Sequence, residues 1–289
     1  WLLACSPTPS DTAVRTDSGE DTASEAGAWS WDGLSPQWTE EEVGAEIEAA
    51  LSWGIPQAEV LCDNILTLLS RGDDVCPGHS SMISVPYVSL EGCTAETGYT
   101  YRGILVYEED TEEEDGREKR SQYTSTADFE IIHPTGETFL GGGSVDYIRS
   151  KEIGEDEVDQ GRAVIQGMWE DPLHEAPWLA QGISAYLSLF MEPSQEGSGN
   201  LAKIDGTLGI GGHYLFFDEL EFRSNRCENG PSDGELWIRQ PDSSWYQLLF
   251  DEKCGCPQVT WNETEPVGEL CIDLSEIRES LVESLGGGF

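Results

Sequence analysis

The sequence predicts a mainly β protein, an antiparallel β-sandwich or a long curved sheet, with an N-terminal helical hairpin and a short C-terminal helix. Three observations carry this. From about Thr97 the apolar residues change from a period of 3.6 to a period of 2, as half-buried strands require. The clusters Pro134-Thr135-Gly136 and Pro241-Asp242-Ser243-Ser244 separate alternating runs as hairpin loops do. Helix-period segments with capping residues flank this region on both sides.

The first helix is predicted to start at Thr39. Thr39 can cap it, Glu42 completes a capping box, and Trp38 is placed to staple onto Val43. Val43, Ile47 and Leu51 share one face, and Gly54 marks the end. Pro56 suits the first position of a second helix, which carries Val60, Leu61, Ile65, Leu68 and Leu69 and stops at Gly72. The broad apolar face of this hairpin is expected to cover one end or edge of the β region.

Alternation begins with Tyr99, Tyr101, Leu105 and Tyr107 and continues through residues 121–132 and 137–149 around the first turn. Ile204, Leu208, Ile210, Tyr214, Phe216, Leu220 and Phe222 share one parity. That run exceeds an ordinary strand of about 3–10 residues, so Gly209, Gly211 and Gly212 mark a bulge, bend or tight hairpin within it. A last hairpin joins Glu235–Arg239 to Trp245–Phe250, and a short helix follows, with Asp273 as cap, Glu276 completing the box and Gly286 past its end.

Eight cysteines occur: Cys5, Cys62, Cys76, Cys93, Cys227, Cys254, Cys256 and Cys271. Cys76 and Cys93 both stand in loop-like sequence and are expected to pair, which should contribute about 3 kcal/mol on the chain-entropy model. Direct pairing of Cys254 with Cys256 would be strained. Two connectivities therefore remain for the last four, 227–254 with 256–271 or 227–256 with 254–271. A zinc site is the alternative, but the single residue between Cys254 and Cys256 is shorter than the usual spacing of about two to four. Cys62, on an apolar helix, reads as a small buried hydrophobe.

The extreme N-terminus carries a different signal. Trp1-Leu2-Leu3-Ala4-Cys5 resembles the end of a bacterial lipoprotein signal peptide, with Leu2 at the usual Leu position and Ala4 as the small residue before a lipidated Cys5. The stretch that follows is rich in Ser, Thr, Asp, Ala and Pro and is too poor in apolar residues to offset the entropy of ordering. The expected organisation is a leader remnant over residues 1–5, an acidic tether over 6–37, the helical hairpin over 38–75 and a disulfide-containing β domain over 76–289. A lipid on Cys5 would make the membrane a partner and place the chain in the bacterial cell envelope. Ser6, where diderm lipoproteins kept at the inner membrane carry Asp, points to the outer membrane.

Charge narrows the partners further. With 56 acidic against 15 basic residues the formal net charge is −41. Nucleic acid is excluded as a partner, because binding it requires a basic patch that displaces phosphate counterions. The tether, residues 1–37, holds six acids and one Arg, a net −5, which leaves −36 on the folded part. Such a surface stays hydrated and resists association.

Catalytic and cofactor signatures do not emerge. There is no Gly-x-Ser-x-Gly elbow or phosphate loop, and His174-Glu175 lacks the second His of a zinc-protease helix. The four histidines, His79, His133, His174 and His213, include no pair at metal-ligand spacing. As an EF-hand, the acidic run Glu108 to Asp115 would place Gln122 at the twelfth position instead of a bidentate Glu, so it reads as a solvated hairpin. No catalytic residue, metal ligand or cofactor is therefore assigned. Of Trp169, Trp178, Trp237, Trp245 and Trp261, most are expected in the core, and Trp245-Tyr246 is the candidate ligand-stacking pair for a glycan.

The segment Cys227, Gly234-Glu235-Leu236-Trp237-Ile238-Arg239, Trp245-Tyr246, Cys254-Gly255-Cys256 and Gly268-Glu269-Leu270-Cys271 resembles acidic lipoproteins of the myxobacterial, deltaproteobacterial type. So do Gly72-Asp73 to Cys76-Pro77-Gly78, Gly92-Cys93-Thr94 and Thr97-Gly98-Tyr99-Thr100-Tyr101. The resemblance implies an envelope-exposed location and brings no activity. The expectation is a lipid-anchored envelope protein with a non-catalytic binding or structural β domain and a protein or glycan partner. The alternatives are a surface glycan hydrolase using paired Asp or Glu, and a calcium-stabilised adhesin.

Overall fold

Thr39 caps the first helix as its sequence requires: its Oγ1 accepts from the Glu42 amide at 3.3 Å, and Glu42 Oε2 accepts from the Thr39 amide at 2.8 Å. This computed structural model describes residues 35–78, 88–155, 158–193, 200–223, 225–227, 230–251, 254 and 256–285. Cys5, the tether up to residue 34, His79 and Gly286 lie outside the described residues. Helix α1 spans Glu40–Leu51 and α2 spans Ala58–Leu69. Pro56 therefore precedes α2 by two residues instead of opening it, and Gln57 stands at the N-cap.

Twelve strands follow: β1 Val88–Thr94, β2 Thr100–Glu114, β3 Arg117–Ile132, β4 Thr138–Glu152, β5 Gln160–Glu170, β6 Ile183–Pro193, β7 Asn200–Ile210, β8 His213–Arg223, β9 Asp233–Arg239, β10 Trp245–Phe250, β11 Gln258–Trp261 and β12 Glu265–Glu269. Helix α3, Pro177–Gln181, interrupts β5 and β6, and α4, Ser275–Ser284, closes the described chain. The strands form one open sheet in sequence order, every neighbour antiparallel. Of the two expected architectures, the long curved sheet is therefore the one adopted.

Curvature follows from the number of strands, and the helices occupy the inside of the curve. Helix α2 packs on β3, β4 and β5, and α1 packs on β8, β9 and β12. In a flat sheet with strands ~4.8 Å apart, β3 and β12 would stand about 43 Å from each other. Open sheets of more than about ten mutually twisted strands curl instead of staying flat. The sheet curls around α1 and α2, which between them cover its inner face from β3 to β12 and not one end or edge. The physical reason is the width of the apolar face: Val43, Ile47 and Ala50 from α1 and Leu61, Ile65, Leu68 and Leu69 from α2 are all buried against strand residues.

Segments 38–75 and 76–289 therefore share one hydrophobic core, which also takes Ile277, Leu281, Val282 and Leu285 from α4. The folded unit begins at Pro36, slightly before the expected boundary. Backbone hydrogen bonds explain the difference, since the amides of Gln37 and Trp38 both donate to Tyr246 Oη, at 2.9 and 2.8 Å. Trp38 stacks on Tyr246 with centroids 5.3 Å apart.

Close approach between strands needs glycine. Gly167 in β5 faces Gly143 in β4 and has φ 102°, and a Cβ on Gly167 would land on the Gly142 carbonyl oxygen. The Gly211-Gly212 pair makes a tight two-residue hairpin between β7 and β8, with Ile210 opposite His213. Three disulfides lie among the described residues: Cys76–Cys93, Cys227–Cys254 and Cys256–Cys271. The first matches the expected pair, and the other two realise one of the two connectivities left open. Cys62 is buried and free; burial first, then the Asp63 and Glu59 carboxylates, push its thiol up to about 12.

Gly167→Ala should lower stability by at least about 2 kcal/mol, through positive φ and overpacking together. Urea unfolding monitored by circular dichroism checks this. Under native conditions without reductant, an alkylating agent should leave Cys62 unmodified, and after denaturation it should label Cys62 but none of the six paired cysteines, as peptide mass mapping would show.

Candidate functional site

Inward and outward residues alternate along every long strand, so the outer, convex face can be read across the sheet from the strand registers. One row runs Val106, Ser125, Ser144, Gln166, Tyr186, Thr207, Phe216, Trp237, Gln247, Thr260 and Pro266, one residue from each strand β2 to β12. None of these residues carries a charge. The adjacent row contributes Gly142, Met168, Ser184, Gly209 and Tyr214, then Arg239 opposite Trp245; Arg239 is the one charge among these, and beyond Gly142 the row meets the Ala127-Asp128 bulge of β3. Carboxylates border the band: Asp146, Asp205 and Glu235 flank the first row, and Glu170 lies beyond the second. In a chain with 56 acids this is a neutral strip with acidic margins.

Aromatic side chains concentrate where β6 to β10 cross the strip. Tyr186 is 63% exposed and Tyr214 47%. The Arg239 guanidinium carbon lies 5.8 Å from the Tyr214 ring centroid and 5.9 Å from that of Trp245, within cation–π range of both. Phe216 and Trp237 meet at 6.3 Å and a tilt of 55°. Glu235 orients their polar neighbours, accepting from Trp237 Nε1 at 2.9 Å and from Gln247 Nε2 at 2.8 Å, while Thr260 Oγ1 donates to Gln247 Oε1 at 3.0 Å. Held rings beside fixed hydrogen-bonding groups can stack on the apolar face of a sugar and bind its hydroxyls.

Of the expected stacking pair, Trp245 belongs to this surface and Tyr246 does not. Tyr246 is fully buried and its hydroxyl holds the start of the folded unit. Successive residues of one strand face opposite sides, so the two rings never formed one platform. Trp169, Trp178 and Trp261 lie in the core as expected, while Trp237 stands half-buried on the outer face. Tyr214 and Phe216 were aligned by parity with core residues. The two-residue Gly211-Gly212 turn shifts the phase, so Leu215 and Phe217 point inward, and a bulge near Glu219, φ 46°, returns Leu220 and Phe222 to the core.

Two polar clusters lie on the helix side. Glu59 in the first turn of α2 meets Arg149 at 2.9 Å and Arg120 at 3.2 Å, and Arg120 also reaches Glu109 at 2.8 Å. With Tyr147 Oη donating to Glu59 at 3.4 Å, these charges satisfy one another and fix the register of α2. Asp171 is buried, accepting from Asn64 Nδ2 at 3.0 Å and from the Leu173 amide at 3.1 Å, with His133 Nε2 3.6 Å away. No residue at this cluster is placed as a nucleophile, so it reads as a second pin between α2 and the sheet. Glu221, the other buried carboxylate among the described residues, faces outward between Lys203 and Arg223.

Among the described residues, neither the buried carboxylates nor a metal-ligand group gives the hydrolase or the calcium alternative a site. Asp171 and Glu221 stand on opposite faces, each with its own partners, and not as a pair across a cleft. Among the described residues no group of three or more His, Cys, Asp and Glu is arranged to hold a metal ion, and the acidic run forms a continuous β2–β3 hairpin turning at Asp115-Gly116. No helix of the described residues is long and apolar enough to cross a membrane. Compared with protein-family models, with curated proteins and with solved structures, the chain finds no match.

Glu221 supplies a pH prediction. Burial works against its ionisation, but hydrogen bonds and charge from Lys203 and Arg223 outweigh it and hold the carboxyl below its ordinary value of 4.5. A depressed folded pKa contributes stability that is full above pH 4.5 and lost as pH falls through the folded value. Glu221→Gln should therefore flatten the acid side of a plot of Tm against pH below about 5 and destabilise the protein at neutral pH.

Proposed function

We propose that this chain is a lipid-anchored cell-envelope protein whose sheet is a non-catalytic binding module for a neutral glycan. The observation that carries the reading is the uncharged, aromatic-bearing strip on an otherwise strongly acidic surface. Eleven strands at ~4.8 Å make it about 48 Å long along the curve, enough for an extended oligosaccharide. Exposed Tyr186 and Tyr214 and half-buried Trp245 supply stacking faces, and Ser, Thr and Gln supply both donors and acceptors for hydroxyl groups. The charge of −41 disfavours uronic or sulfated glycans.

The anchor rests on residues 1–6. Lipid on Cys5, an acidic tether and Ser6 together favour the outer membrane, with the lipid as the membrane contact. Intact-mass analysis of the precursor produced in a diderm host should show a diacylglyceryl adduct at Cys5; an unmodified Cys5 contradicts the anchor.

The binding surface is tested on an array of neutral and acidic oligosaccharides. Neutral glycans should be retained in preference to acidic ones, and Tyr214→Ala with Trp245→Ala should weaken retention about tenfold or more, at ~0.5–1.5 kcal/mol per ring. Tyr246→Ala should instead destabilise the fold by about 3–5 kcal/mol. Absence of glycan binding, or binding indifferent to both surface substitutions, contradicts the proposal.

A further inference from the structure

A separate cleft opens where the α1–α2 turn, α3 and the start of α4 meet. It encloses about 450 Å³, a size suited to a small organic ligand. Ile55, Trp178, Leu274 and Ile277 are buried in its floor, and Leu51 and Trp53 line a wall. Glu48, Asp273 and Glu276 stand exposed on the rim. Among the described residues no Lys, Arg or His lines the cleft. An apolar floor, two indoles and described charged groups that are all acidic are complementary to one kind of ligand, a cation carrying an apolar body.

The indoles are fixed in place. Trp53 lies against the β7–β8 turn, where a Cβ on Gly211 would collide with its Nε1. Gly54, at φ 88°, turns the chain with no side chain between it and the Trp178 ring. Asp273 already accepts from the Ser275 amide at 2.9 Å, which satisfies the start of α4 and holds that carboxylate at the rim. Hydrogen bonding from Ser275 also keeps its carboxyl below the ordinary value, so it stays ionised in mildly acidic surroundings.

We propose that this cleft binds a small organic ammonium ion, its alkyl or aryl body on the floor and its charge between the indole faces and the Glu48, Asp273 and Glu276 carboxylates. Cation–π attraction and the rim charges act together there, and both are lost for a neutral ligand of the same shape. The site is independent of the glycan strip, being built from α1, α3 and α4 and not from the outer strands.

Benzyltrimethylammonium is the probe, titrated calorimetrically into the full chain at about 0.15 M salt, where distant charges are screened. Saturable one-site binding is expected, with no comparable heat from benzyl alcohol. Glu48→Gln with Glu276→Gln should weaken it about tenfold, whereas Glu112→Gln with Glu113→Gln on the β2–β3 hairpin removes the same charge and should leave it unchanged. No binding at about 10 mM probe, weaker than any useful affinity, overturns the proposal. So do equal losses in the two double variants, which would mark general attraction to an acidic protein, and equal binding of benzyl alcohol.

Discussion

The structure depends on covering one apolar face of a twelve-stranded sheet with four short helices. Burial contributes roughly 25 cal/mol per Å² of apolar surface, so leaving inner-face residues such as Phe139, Ile165, Leu187 and Phe217 wet would remove much of the folding drive. Twisted strands in that number curl, and the curled sheet meets α2 at β3 to β5 and α1 at β8, β9 and β12. Glycines at the closest strand approaches make the curl sterically feasible, and Gly143 facing Gly167 is the clearest instance.

Directional bonds then fix how the hairpin lies. Glu59, Asn64 and the Leu68 carbonyl of α2 meet Arg149, Asp171 and Tyr101 Oη of the sheet region, the last at 2.8 Å. These contacts satisfy polar groups that burial would otherwise penalise. Apolar contact alone tolerates sliding, and paired polar groups do not. With the inner face fully committed to the core, the outer face is left for solvent and partners. That division is why a neutral aromatic strip can persist on a chain so acidic elsewhere.

Much of this was legible from the residues. Alternation after Thr97, the Pro134 and Pro241 turns, the Thr39 capping box and the Cys76–Cys93 bridge all have local causes, and each took the expected form. Strands β5 and β6 carry comparable alternation, but their pairing with β4 and β7 is non-local and no short turn announces it. The strip is non-local in the same way. Its rows become visible only once register is known, and the phase shift at Gly211-Gly212 hid Tyr214 and Phe216 among apparent core residues. Tyr246 departs from its expected place for the converse reason. A polar aromatic beside Trp245 resembled a platform, yet strand geometry sends neighbours to opposite faces, and its hydroxyl finds Gln37 and Trp38. The Asp171 cluster joins residues 107 positions apart in the case of Asn64, a separation no local pattern encodes.

The mutual dependence of helices and sheet is tested most directly by thermal unfolding of a chain beginning at Gly72, which keeps all three disulfides and every strand but lacks α1 and α2. A single shared core predicts loss of the cooperative transition and of near-ultraviolet circular dichroism, with the exposed inner face binding a hydrophobic dye. A cooperative transition with native near-ultraviolet signal would show that the sheet folds alone and contradict the shared core.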